Sequence, residues 1–275
     1  STGVRRLLNL HSVLPGKNAV VFTANQDGDA CIADLIKAGA VVRVVDARKG
    51  ENIVQATGDN RIKTVELGDG QKIACDLLVI AIGWTANVPL LNMAGDRPVY
   101  DKNSARFFPT NGLPENVLVT GGLTGDGSTN ELIAHGAAIG TNAAARSDFG
   151  KAVTVPTLTR EPHAELYRST THGFVDFSED VSSKDLFAAK AEGYDSIELV
   201  KRYTTVTMGP SQGKLETVNA VAIMAEAHGV TDLNQIGTTV WRPPFVPITL
   251  GALGGRGFEN TRFSPIQPWH EAHHA

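Results

Sequence analysis

The sequence predicts an α/β chain: a Rossmann-like parallel sheet with an antiparallel meander, followed by a small, mostly helical module and a Pro/Gly-rich tail. Three observations carry that prediction. A strand–helix–strand pattern fills residues 18–46, Gly-rich turns cut residues 53–74 into three short strand-like runs, and capped helical segments dominate from residue 182 to 229. The 275 residues, 42% apolar and 20% charged with 28 Gly and 13 Pro, suit an ordinary globular chain of one large or two smaller domains.

Residues 18–23 form a short buried-type strand. A polar turn leads into an amphipathic helix over 30–38, closed by Gly39 at a position that favours a left-handed residue. Residues 41–46 give the second strand, and this spacing makes a right-handed βαβ unit with parallel strands. Runs at 53–57, 61–67 and 71–74 are separated by Gly58-Asp59 and Gly68-Asp69-Gly70, which are hairpin-type turns. The nearly continuous apolar run 76–83 predicts a strand covered on both faces, with Gly83 turning the chain. Residues 113–122 repeat that grammar, a short strand ending in a glycine pair, and the Ala/Gly-rich stretch 129–145 suits a helix packed closely on a sheet.

Residues 151–168, with Pro156 and Pro162 and no periodicity, predict a linker, and a new unit starts near Thr171. Ser182 with Asp185 forms a capping box for a helix that stops at Gly193. Asp195 with Glu198 opens another helix, and a third passes through 220–225 and ends before Gly229. From Gly237 onward the chain is rich in Pro and Gly. The expected organisation is a Rossmann-like domain over 1–105, a returning piece of a first nucleotide-binding domain over 106–155, and a helical module with its tail over 171–275.

A net charge of −4 gives no overall basic field, which argues against a nucleic-acid or anionic-membrane binder. No stretch approaches the ~20 apolar residues of a membrane span, and residues 1–6 lead into no signal-peptide core. The two cysteines, Cys31 and Cys75, read as reduced and packed, which places the chain in the cytoplasm. The histidines show no zinc spacing; His270, His273 and His274 cluster only at the chain end. No nucleophile–base constellation is apparent, so neither a catalytic nor a metal-ligating residue is assigned.

Three signals point to cofactor chemistry. The first βαβ turn keeps only Gly28 of a dinucleotide fingerprint, and Asp27 and Asp29 would repel phosphate, although Asp46 stands where a ribose-binding carboxylate belongs. Alternatively the unit is purely structural, with Asp27 and Asp29 serving as helix-capping acids. The second glycine region is better suited to a cofactor: Gly121 and Gly122 permit close approach, Gly127 can supply a positive φ, and Ser128 and Thr129 add hydroxyls at a helix start. The same glycines also fit a turn that only packs a helix on its sheet. Lys201, Arg202, Lys214 and Arg242, from three separate segments, each lie beside a hydroxyl or amide, as a phosphate site requires or as a solvated basic face would show.

The runs 17–46 and 75–84 resemble the pyridine-nucleotide region of the alpha subunit of heterotetrameric sarcosine oxidase. The segments 174–177, 200–205, 208–214, 237–244 and 269–272 resemble the same family in the same order. The similarity covers the middle of a family alpha subunit; the GxGxxG half-domain that holds NAD and the aminomethyltransferase-like folate domain have no counterpart in these residues. The resemblance implies a fragment, or a short subunit completed by another polypeptide. The helical module also resembles the small [2Fe-2S] modules of related amine and opine dehydrogenases, but the aligned ligand positions are Val175, Phe177, Ser211 and Glu216, so no iron–sulfur cluster is expected.

The resemblance implies a partner and cofactors. The partner would be a beta-type flavoprotein subunit, with further small subunits, that oxidises a secondary amine such as sarcosine at FMN and passes electrons to oxygen. The FMN phosphate would be shared at the interface by Lys201, Arg202, Thr204, Gln212, Lys214, Thr238, Thr239 and Arg242. Gly121, Gly122, Gly127, Ser128 and Thr129 would form part of an NAD site. A subunit of an opine, hydroxyproline or N-methylglutamate dehydrogenase is the alternative enzyme, and a cofactor-free assembly protein the alternative outside enzymology.

Overall fold

The computed structural model describes residues 1–110, 112–165, 173–241, 245–246, 248–254 and 263–274. Strands β1 (Asn18–Thr23) and β2 (Val41–Asp46) are joined by helix α2 (Gln26–Lys37), and an earlier helix, α1 (Thr2–His11), packs on α2. Strands β3 (Ile53–Gly58), β4 (Ile62–Leu67) and β5 (Lys72–Ala74) form an antiparallel sheet in the order β3-β4-β5. The chain then returns through β6 (Leu77–Ala81), which pairs parallel with β1, and the parallel sheet has the order β2-β1-β6.

Two cores flank that parallel sheet, because successive side chains of a strand face opposite ways. Ala19, Val21 and Val79 pack with Cys31 and Leu35 of α2 on one face. Val20 and Val45 pack with Val65 and Leu67 of the antiparallel sheet and with Cys75 just after it on the other. Both cysteines are therefore free thiols in apolar packing, and burial pushes both of their pKa values up. The β1–α2–β2 unit and the meander lie where the sequence puts them. Helix α2 starts four residues earlier than periodicity predicts, because Asn25, not a residue nearer 30, accepts the free N–H groups of Asp27 and Gly28. The apolar run around β6 is not covered on both faces: Ile80 is 46% exposed on an edge strand.

After the short helix α3 (Pro89–Met93), strands β7 (Val99–Asp101) and β8 (Arg106–Phe108) form a hairpin. This hairpin straddles the expected 105/106 boundary, and its Tyr100 and Phe107 belong to the core of the helical module. The strand expected within 113–122 does not form. Val117 donates back to the Pro114 carbonyl in a turn, and among the described residues no strand flanks the run to complete a ladder. Helix α4 (Thr129–Ala145) follows, started by a capping box of Ser128 and Glu131, with His135 its one buried residue.

Strands β9 (Phe174–Asp176) and β10 (Val181–Ser182) open the helical module, and helices α5 (Ser183–Ala191), α6 (Ile197–Thr204) and α7 (Thr217–Ala227) complete it. Its core gathers Val181, Leu186, Val200, Val206, Val221, Ile223, Met224 and Leu233. The Ser182–Asp185 capping box forms as expected, and Gly193 and Gly229 take positive φ values at the helix ends. Among the described residues of the tail are two short helices, α8 (Leu250–Gly254) and α9 (Gln267–Ala272).

Candidate functional site

At the carboxyl edge of the parallel sheet, where open α/β sheets bind ligands, the first turn is filled by the protein's own groups. The Asp27 carboxylate, in the first turn of α2, accepts a hydrogen bond from the Trp84 indole N–H. Asp29 and Asp46 share the Arg48 guanidinium, which donates two bonds to Asp29 at 2.8 and 2.7 Å and two to Asp46 at 2.8 and 3.0 Å. These bonds lower both carboxylate pKa values and raise that of Arg48. A ribose hydroxyl or a pyrophosphate would compete with this ion-paired network. Gly28 has a packing reason: a Cβ there would overlap the Thr23 side chain of β1.

The second glycine region is bound by a strap from the 151–165 segment. The Asp126 amide donates to the Thr159 carbonyl at 2.6 Å, the Glu161 amide donates to the Asp126 carboxylate at 3.0 Å, and a Cβ on Gly125 would meet the Thr159 carbonyl oxygen at 2.5 Å. Gly127 has no positive φ, contrary to expectation; the left-handed residue is Gly121, at φ 70°. A Cβ on Gly127 would approach Glu131 at 3.2 Å and Leu158 at 3.3 Å, so this glycine packs the helix start against the strap. The Ser128 hydroxyl serves the capping box with Glu131, and Thr129 is exposed. Gly121 and Gly122 alone of this set have open space beside them.

The basic residues divide into two groups about the segment 238–246. Lys201 is buried, and its ammonium donates to the Glu198 carboxylate at 3.0 Å and to the Val240 carbonyl at 2.9 Å. Glu198 in turn accepts from the Val240 amide, so two side chains one helical turn apart hold both backbone groups of Val240 as a neighbouring strand would. The Lys214 ammonium donates to the Phe245 carbonyl at 2.6 Å and lies 4.4 Å from the centre of the Phe245 ring. The Thr204 hydroxyl returns to the Val200 carbonyl within its helix, and the Gln212 amide returns to the carbonyls of Met208 and Gly209. Thr239 is buried, Arg202 is exposed, and Arg242 lies outside the described residues.

Lys214 and Thr238 meet in one cleft of about 230 Å³ between the loop after β6 and the helical module. Its walls include Trp84, Val88, Pro89, Phe107, Val218 and Trp241. The loop carrying Lys214 is tied to both sides, since the Trp241 indole donates to the Gln212 carbonyl and the Thr85 hydroxyl donates to the Lys214 carbonyl at 3.1 Å. Gly213 is required in that loop: it has φ 72°, and a Cβ would fall 2.6 Å from the Thr217 hydroxyl and 2.9 Å from the Thr207 side chain. The role of Trp84 as a wall was missed by residue reading; its signal was an aromatic directly after a strand-ending glycine at the ligand edge of a parallel sheet.

The Glu198–Lys201 clamp has a direct test. Lys201→Met should destabilise the protein by about 2 kcal/mol, because a buried carbonyl and a half-buried carboxylate lose their cation together. Hydrogen exchange at the Val240 amide should accelerate at the same time. Arg202→Met, one residue along and exposed, should do neither; equal effects of the two changes would refute the clamp.

The former cluster-type positions hold other chemistry. Val175 is buried in the core, Phe177 is exposed, and Ser211 donates to the Glu216 carboxylate at 2.6 Å. Among the described residues no group of three His, Cys, Asp or Glu side chains is arranged to hold a metal ion. His273 stacks on Trp269 in the tail, and His135 bonds the Thr120 hydroxyl at 2.7 Å. No described helix is long and apolar enough to cross a membrane.

Comparison with known proteins extends this picture. Residues 170–256 match the sarcosine oxidase A3 domain. The chain is 32% identical over 304 residues to sarcosine oxidase subunit alpha of Rhizobium meliloti, an alignment that takes in 99% of this chain and 30% of the relative. It is 30% identical to the same subunit of Corynebacterium sp. strain P-1, over 98% of this chain and 32% of the relative. The chain thus spans about a third of the length of the curated relatives it matches. In fold it is similar to L-proline dehydrogenase from P. horikoshii, with a TM-score of 0.70, 16% identity, and coverage of 91% of this chain and 52% of that one. Ordered motifs, domain match and similarity along the chain agree: residues 170–256 match the sarcosine oxidase A3 domain, and the chain as a whole is similar to about one third of a sarcosine oxidase alpha subunit.

Proposed function

We propose that this chain is the nucleotide-binding and scaffold part of a flavin-dependent amine oxidoreductase of the sarcosine oxidase type. Residues 1–105 supply a Rossmann-like domain, 106–155 the returning part of a nucleotide-binding domain, and 171–275 the face that meets a beta-type flavoprotein subunit. FMN bound at that face supplies the two-electron chemistry of amine oxidation, with oxygen as acceptor. We assign no acid, base or nucleophile among the described residues. The chain's contribution is fixed positive charge and a rigid surface.

The observation that carries this reading is the convergence of two of the sequence-matched segments, 208–214 and 237–244, on one cleft through Lys214 and Thr238. A flavin phosphate is a dianion and needs several charge-assisted donors. Lys214, Thr238, Arg202 and Arg242 fit that role, because each is exposed, lines the cleft or lies on the matched segment. Lys201 fits less well as a direct ligand, since it is buried and its charge is paired with Glu198; its part is to position residues 238–241. Thr204 and Gln212 likewise act through the backbone they brace, and buried Thr239 through packing. Gly121 and Gly122 are the part of the second glycine region open to a dinucleotide such as NAD. Val175, Phe177, Ser211 and Glu216 offer no thiolate, so the module works without an iron–sulfur cluster.

Lys214→Ala combined with Arg242→Ala should lower FMN retention by the purified complex about tenfold to a hundredfold, the range expected for lost charge-assisted bonds. Flavin content per complex reads this directly, and the identity of the co-purifying chains reads the partner. Unchanged flavin content in the double variant would remove the phosphate assignment. Absence of a flavoprotein partner would remove the whole reading.

A further inference from the structure

Thr238 also borders a second cavity, a groove of about 730 Å³ walled by three segments: residues 97–99 leading into β7, residues 196–198 at the start of α6, and residues between Asn234 and Val240. Its size falls within the roughly 300–1,000 Å³ of pockets that take a small molecule. Each segment contributes apolar side chains, and Val99 and Val240 remain 50% and 39% exposed beside it. The two extended stretches have outward backbone groups already satisfied by side chains. Asn234 accepts from the Tyr100 amide at 2.7 Å and donates to the Tyr100 carbonyl at 3.0 Å, and Glu198 and Lys201 hold Val240 in the same manner. An extended peptide would therefore gain no ladder at these residues. The groove suits a small molecule instead.

The polar lining decides the charge of that molecule. Glu198 is occupied: its carboxylate pairs with the buried Lys201 ammonium at 2.9 Å and accepts from the Val240 amide. A cationic ligand would have to break that clamp. Arg97 is exposed and, among the described residues, has no carboxylate partner; its guanidinium donates to the Asp96 carbonyl at 3.3 Å. A guanidinium has five N–H donors in a fixed fork, so most of its capacity stands unused on the groove wall. The Ser196 hydroxyl accepts from the Leu199 amide at 3.2 Å and keeps its own proton to donate. Spare donors thus lie beside apolar surface, and one guanidinium balances a monoanion rather than a dianion. We propose that this groove binds an organic carboxylate with an apolar body, of the medium-chain fatty-acid type, its headgroup on Arg97 and its chain against Val99, Ile236 and Val240. The carboxylate matches the planar fork with two bonds at once, and covering the exposed valines adds hydrophobic affinity.

Isothermal titration of the purified protein with octanoate should show saturable binding of one molecule per chain. Octan-1-ol, which has the same chain and no charge, should bind roughly tenfold more weakly, the loss expected when a charge-assisted bond is removed. Arg97→Gln should weaken octanoate by about the same factor, leave octan-1-ol unchanged and keep the thermal transition of the wild type. Arg43→Gln, a change at an exposed arginine on β2, should alter neither affinity. Val99→Thr should weaken both ligands about threefold, through lost apolar contact. No saturable binding of octanoate would overturn the proposal, and so would equal octanoate affinities in the wild type and Arg97→Gln. Octan-1-ol binding as tightly as octanoate would overturn it without any variant, because the guanidinium would then play no part. Octanoate carries neither a ring nor a phosphate, so these outcomes are independent of the flavin reading above.

Discussion

Gly28→Ala should destabilise the parallel-sheet domain by about 3 kcal/mol, the upper end of overpacking costs, although alanine is the better helix former. In a helix that packs on nothing, glycine to alanine stabilises by about 0.5–1 kcal/mol. Here the added methyl overlaps Thr23 Oγ1 and Cβ and comes within 3.3 Å of Ala81. Thr23 cannot swing aside, because it is fully buried and its hydroxyl donates to the Asn25 carbonyl at 3.0 Å and accepts from the Asn25 amide at 3.3 Å. Those bonds shape the turn that starts α2. The clash is therefore resolved only by lifting the helix off the sheet, which opens the core around Cys31 and Leu35. Urea denaturation of Gly28→Ala, Thr23→Gly and the double variant gives the cycle. The two changes should couple favourably by more than 1 kcal/mol, as contacting residues do, and a Gly28→Ala variant within 0.5 kcal/mol of wild type would refute the close approach.

That glycine shows both what the sequence discloses and where it stops. A lone Gly in the first βαβ turn was readable as the remnant of a phosphate-binding fingerprint, yet the structure uses it for helix–strand contact. Local signals served well where they are complete in a few residues. The period of β1 and β2, the turns of the meander and the Ser182–Asp185 box all fix their elements without distant help. Signals that depend on a remote partner did not. The run 113–122 has strand composition, but a strand needs a neighbour, and none flanks it among the described residues. Lys201 has the look of a ligand-binding cation, and only its position opposite Val240, 39 residues away, reveals a structural clamp. Gly127 illustrates the same limit: its space is taken by Leu158 of a segment whose sequence has no periodicity. The cleft was invisible for the corresponding reason, because its walls come from residues 84–89, 107, 213–218 and 238–241, which meet only when the two cores assemble.

The same strap gives the other large effect. Arg106→Met should cost about 3 kcal/mol at neutral pH, as removal of one partner from a buried ion pair does, and the loss should shrink in acid. The Arg106 side chain is 5% exposed, donates to both Asp126 oxygens, one of them at 2.9 Å, and lies 5.1 Å from the Phe108 ring centre. Burial alone would raise the Asp126 pKa, but the Arg106 guanidinium and the Glu161 amide outweigh it and hold the carboxyl below its ordinary value. Asp126 therefore binds its proton less tightly folded than unfolded. The stability it contributes is complete above its unfolded pKa of about 4 and disappears as pH falls through the lower folded value. Without Arg106 the desolvation remains and the counter-charge is gone, so the folded pKa moves up from its wild-type position. Protonation of Asp126 then costs the variant less than it costs the wild type, and the two stability curves converge as pH falls below about 4 through the wild-type folded value. His163, whose own pKa is lowered by burial and then by Arg106, pushes the same way: losing the guanidinium eases its protonation in the variant. Because Asp126 holds Glu161 and faces Thr159, the variant should also become sensitive to limited proteolysis between residues 151 and 165 at neutral pH. A stability difference that stays constant from pH 7 down through the acid range below pH 4 would mean that Arg106 acts only through its packing on Phe108, and that the pinning of the strap by charge is wrong.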